Sequence, residues 1–137
     1  MIDFLDEQDR PVYRVFYQDA PTDAPVGHIP AALLAEKPVD VALLCVGSSN
    51  AVSDQPHAIL ENTQPRFALS GHWEDFFQPV GSTAPIPFLD VPGYVAKAEA
   101  ALPGAPDSPL LVDGAPAAGR HVLVMPGMRF AVQPSTE

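Results

Sequence analysis

Residues 39–50 read VDVALLCVGSSN, eight residues from Val39 to Val46 broken by a single charge and stopped by Gly47-Ser48-Ser49-Asn50. An apolar run of that length, closed by glycine and small polar residues, reads as a strand. Because it lacks polar alternation, it belongs to a strand buried on both faces, the kind found in parallel sheets flanked by other layers. On the amino-terminal side, Ile29, Leu33 and Leu34 fall at helical spacing over residues 29–36. On the carboxyl-terminal side, Asp54 and Pro56 precede Ile59 and Leu60, a capping residue and an early proline before a short helix. Phe67 to Leu69 is the next strand, closed by Ser70 and Gly71. Strand, helix and strand in succession imply right-handed crossovers and an α/β fold with parallel sheet members.

Further out, Ile2–Leu5 and Val12–Gln18 flank the polar turn DEQDR and read as a hairpin. Tyr13, Val15 and Tyr17 share one face of its second arm, and Asp19 extends that face past the strand end. Asp90 introduces a helix with Val91, Tyr94, Val95, Ala98 and Leu102 on one side and a Pro103-Gly104 stop. Segments 78–90 and 103–120, rich in Pro, Gly, Ala and Ser, read as loops. His121–Met125 and Met128–Val132 read as a closing hairpin turning at Pro126-Gly127.

At 137 residues the chain makes one domain, 1–137, with 47% hydrophobic and 18% charged residues, a globular composition. Seventeen acidic residues against seven basic give a net charge of −10, which argues against nucleic-acid binding and against adhesion to an anionic membrane. No apolar stretch approaches the roughly 20 residues that span a bilayer. The acidic start, MIDFLDEQDR, is unlike a signal peptide, so the expected location is cytoplasmic. Cys45 is the only cysteine and, lying in the apolar run, reads as a small buried hydrophobe.

Ligands in α/β sheets collect beyond the carboxyl ends of the strands. Three such ends are Gln18-Asp19, Gly47-Ser48-Ser49-Asn50 and Gly71-His72-Trp73-Glu74-Asp75. In GHWEDFF, residues 71–77, a neutral imidazole at a strand end suits zinc, and Glu74 or Asp75 is placed to orient it. Asp19 is its natural partner. Ser48, Ser49 and Asn50, with Trp73, are candidates for a polar and aromatic pocket. No HxH, HExxH or CxxC occurs, so the chain carries no self-contained metal cage.

The series VYRVFYQDAP, VDVALLCVGSSN and PRFALSGHWEDFF resembles the carboxyl-terminal half of metallo-β-lactamase-fold hydrolases, metal-dependent enzymes built as an αββα sandwich. The resemblance covers residues 1–77 well and 121–132 loosely. It implies half of such a sandwich, a mixed sheet with helices on one face. It further implies that Asp19 is the aspartate bridging two metals, that His72 is the last metal-binding histidine, and that zinc hydrolyses an ester, lactone or amide. The family's HxHxDH signature is absent, so the site would be completed from elsewhere, as in a truncated or split form. An uncovered sheet face would then invite a homodimer or a partner chain. The other reading is a non-catalytic α/β domain that self-associates or binds a partner through that face.

Overall fold

In the computed structural model, which describes residues 1–79, 81–105 and 110–132, the chain runs β1 (Ile2–Leu5), β2 (Pro11–Gln18), α1 (Ala31–Glu36), β3 (Val41–Cys45), α2 (His57–Thr63), β4 (Phe67–Gly71), α3 (Val91–Ala101), β5 (Leu110–Val112), β6 (Ala115–Pro116), β7 (His121–Leu123) and β8 (Phe130–Val132). One five-stranded sheet has the order β1-β2-β3-β4-β7, and a three-stranded sheet has the order β6-β5-β8. In the larger sheet β1 is antiparallel to β2, and β2, β3, β4 and β7 are parallel. The fold class is α/β, as the apolar run implies.

The β1–β2 hairpin is set by Asp6, whose Oδ1 accepts from the N–H groups of Gln8 and Arg10, each at 2.9 Å. Strand β3 lies at the centre of the larger sheet, and its alternation divides the core. Ala42 and Leu44 face a cluster with Phe16, Ile59, Leu60, Tyr94 and Ala98, against which Leu34 also packs, so α1, α2 and α3 lie on one face. Val41 and Leu43 face the other way, toward Phe67, Leu69, Tyr13, Leu110 and Phe130, where the small sheet covers part of the second face. Beyond that cover Ile2, Phe4 and Tyr17 are each about half exposed, at 53%, 55% and 54%.

A buried ionic network ties β1, β2 and β3 to α1. The Arg14 guanidinium grips Asp3 with Nε–Oδ1 at 2.6 Å and Nη2–Oδ2 at 2.8 Å, and donates to the carbonyls of Leu33 and Lys37. Asp40 accepts from the Arg14 N–H at 2.8 Å and pairs with Lys37 and Arg66. The single charge within the run VDVALLCV is therefore a fully buried, saturated carboxylate, which satisfies the desolvation requirement on both partners.

Three expectations are corrected. His121–Val132 is not a hairpin: β7 pairs parallel with β4, Ala68 opposite His121, whereas β8 pairs antiparallel with β5, Leu110 opposite Val132. The turn at Pro126-Gly127 does form, with Met128 N–H donating to Met125 O at 3.2 Å, but its arms enter different sheets. Segment 103–120 is not all loop, since it contributes β5 and β6; its residues 106–109 lie outside the described ones, as does residue 80 of segment 78–90. Asp54 does not cap α2 with its side chain; its carbonyl accepts from Ala58 N–H, and Pro56 occupies the cap position. Asp90 caps as expected, accepting from Gly93 N–H at 2.9 Å.

Candidate functional site at the strand ends

Strands β2, β3 and β4 end side by side, and past their carboxyl ends lies a cavity of about 320 Å³. Asp19, Cys45 and His72 line it, one from each strand end, with Tyr17 and Gln18 at the rim and Leu43, Leu69, Val124 and Phe130 among its apolar walls. A mostly apolar cavity with a few converging polar groups, in this size range, suits a small organic ligand.

The register decides which residues meet there. Asp19 and His72 follow β2 and β4, and β3 runs between these two strands. This interposes Cys45, which shares a face with Val41 and Leu43 by strand alternation. Its Sγ lies 3.2 Å from His72 Nδ1 and 3.5 Å from the carbonyl oxygen of Gly47. Burial pushes the Cys45 thiol pKa up, so at neutral pH it is a thiol and not a thiolate nucleophile.

His72 follows β4 directly, in the left-handed region with φ 58°, a conformation uncommon for residues with a Cβ. The backbone holds it there, because Gly47 N–H donates to His72 O at 2.9 Å. A Cβ on Gly47 would stand 3.0 Å from that same oxygen, so glycine permits the approach. The Phe76 ring lies against the imidazole with centroids 5.4 Å apart. Asp19 Oδ1 accepts from the Tyr17 hydroxyl at 2.7 Å, and this bond holds the Tyr17 phenol above its ordinary pKa. Among the described residues neither Asp19 Oδ2 nor His72 Nε2 makes a hydrogen bond.

The other candidates serve different ends. Trp73 is buried and donates from Nε1 to Val124 O at 2.8 Å, anchoring the loop after β4 to the segment after β7. Glu74 accepts from Trp73 N–H at 3.2 Å and bridges to Pro85. Asp75 accepts from Phe77 N–H and from the Gln78 side chain, closing the turn 75–78. Neither acid bonds to His72, and Phe76 and Phe77 are 66% and 89% exposed, so no apolar wall encloses the acids. Ser48 is a left-handed turn residue, Ser49 is buried in the following 3-10 turn, and Asn50 donates to Phe88 O at 3.4 Å. None of Trp73, Glu74, Asp75, Ser48, Ser49 and Asn50 lines the cavity.

The carboxylate of Asp19 and the imidazole of His72 are donors of the types zinc takes, and a catalytic zinc needs three protein ligands. Among the described residues no group of three or more His, Cys, Asp or Glu side chains is arranged to hold a metal. No helix among the described residues is long and apolar enough to cross a membrane. No family model, no curated protein and no solved structure matches the chain.

Proposed function

We propose that this chain is the carboxyl-terminal part of a zinc-dependent hydrolase of metallo-β-lactamase fold, acting on an ester, lactone or amide. Asp19 is its bridging ligand and His72 its last metal-binding histidine. One observation carries this reading: Asp19 and His72 line a single cavity at the carboxyl ends of parallel strands, each with a donor atom free of other hydrogen bonds. When bound, zinc lowers the pKa of its water toward neutrality and polarises the carbonyl under attack. The chain's own residues do the rest. Tyr17 orients the Asp19 carboxylate through its hydroxyl, the backbone bond from Gly47 sets the height of His72, and Leu43, Leu69, Val124 and Phe130 receive the apolar part of a small-molecule substrate. The remaining ligands come from outside these 137 residues. The half-exposed Ile2, Phe4 and Tyr17 support a second part of the reading, in which a partner chain or a second copy covers that end of the sheet.

The test is zinc stoichiometry and affinity on metal-stripped protein by equilibrium dialysis, with mass followed by light scattering. The expected result is zinc binding that falls at least tenfold in both Asp19→Ala and His72→Ala. Binding unaltered in the folded variants removes the assignment. A dimer without any zinc binding favours the non-catalytic, self-associating domain.

A further inference from the structure

We propose that Cys45 is the positioning residue for His72, holding the imidazole in the tautomer with the proton on Nδ1 and the lone pair of Nε2 free for the cavity. Its part in metal ligation rests on the function proposed above; the tautomer itself does not.

A neutral imidazole carries one proton, and the nitrogen that bears it cannot ligate, so whatever partners one nitrogen decides what the other can do. His72 Nδ1 has Cys45 Sγ as its partner at 3.2 Å. The same sulfur lies 3.5 Å from the carbonyl oxygen of Gly47, and a carbonyl can only accept. The arrangement that satisfies both contacts sends the thiol hydrogen to Gly47 O and leaves the sulfur lone pairs to accept from Nδ1–H. The bond from Gly47 N–H to His72 O at 2.9 Å closes a ring of contacts joining the ends of β3 and β4. It fixes His72 through its backbone and its side chain together. Phe76 lies against the ring at 5.4 Å between centroids and restricts its tilt. A histidine ligand whose second nitrogen donates to a protein group is the usual arrangement in metal sites, and loss of such a partner typically lowers metal affinity by about 10- to 100-fold. Here a thiol takes the place of the customary carboxylate or carbonyl, while Glu74 and Asp75 make their hydrogen bonds to Trp73, Phe77 and Gln78.

The experiment uses protein labelled with 15N in its histidines, read by long-range 1H–15N correlation at about pH 8, above the ordinary imidazole range. The expected result is a protonated Nδ1 and an unprotonated Nε2 for His72. Cys45→Ala shifts the population toward protonated Nε2, and Cys45→Ser, which restores an acceptor, moves it back. The signals of His28, His57 and His121 report whether each variant is folded. Wild-type protein with Nε2 protonated overturns the proposal, as does a folded Cys45→Ala with the wild-type tautomer. If Cys45→Ala does not fold, the wild-type tautomer decides alone. Zinc added to the same wild-type sample separates the two ideas: a metal that leaves the Nε2 resonance of His72 unmoved defeats the hydrolase reading and leaves the tautomer result intact.

Discussion

His72 holds a conformation that its residue type does not favour. Its φ of 58° places Cβ close to the following carbonyl, which costs a residue other than glycine about 1–2 kcal/mol. Such outliers cluster where function needs a side chain at that spot. Substitution therefore separates the backbone cost from the imidazole. His72→Gly and His72→Ala both lose the ring, but only glycine takes this φ freely, so the glycine variant should be about 1 kcal/mol more stable than the alanine variant in urea denaturation. Equal stabilities, or a more stable alanine variant, would mean that the left-handed conformation is not held in solution. Cys45 was the residue least legible in the sequence. An apolar run advertises its middle as core, and only the parity that groups Cys45 with Val41 and Leu43, away from the helices, together with its place as last residue of the strand, marks it as facing a cavity. That Asp19 and His72 line one cavity was legible because each directly follows a strand of the parallel sheet, whose carboxyl ends lie along one edge.

Between elements, the seam of β4 and β7 carries the clearest pH dependence. His121 is buried, with Nε2 3.0 Å from Ser70 Oγ, and that hydroxyl lies 3.3 Å from the Tyr94 phenol. Burial lowers the His121 pKa from 6.5 to about 4 and raises that of Tyr94 to about 12. The unfolded chain thus takes up a proton below about pH 6.5 that the folded chain refuses until about pH 4. The stability owed to a neutral His121 is complete above the upper value and is lost as pH falls through this window, about 3 kcal/mol in all. His121→Gln should flatten the urea midpoint between pH 6.5 and pH 4 relative to wild type, and an unchanged slope would refute the buried neutral state. The same seam explains the misread hairpin. Pro126-Gly127 is a genuine turn signal, but turn chemistry fixes only the reversal of the chain. Which sheet each arm joins is decided by long-range pairing, His121 with Ala68 and Phe130 with Val112, and no local pattern encodes that. Strands β5 and β6 were hidden for a related reason, being three and two residues long in a segment dominated by Pro, Gly and Ala.

Across the whole molecule, helices cover one face of the five-stranded sheet and a small second sheet covers part of the other. The order of apolar runs and breakers made this α/β architecture readable, since buried parallel strands need no alternation and each helix stands between two of them. Less readable was the strand order, which sets β3 between the two candidate ligands and turns a pair into the row Asp19, Cys45, His72. In the proposed site that row has unequal roles, the outer two residues taking a metal and the central thiol holding the imidazole. Cobalt absorption tests this most directly, by titrating Co²⁺ into metal-stripped protein and into its Asp19→Ala and His72→Ala variants. The proposed site should give visible ligand-field bands that are lost in both variants, with no thiolate-to-cobalt charge-transfer band. Folded wild-type protein that binds no cobalt, bands that survive both substitutions, or a thiolate band placing Cys45 on the metal would contradict it.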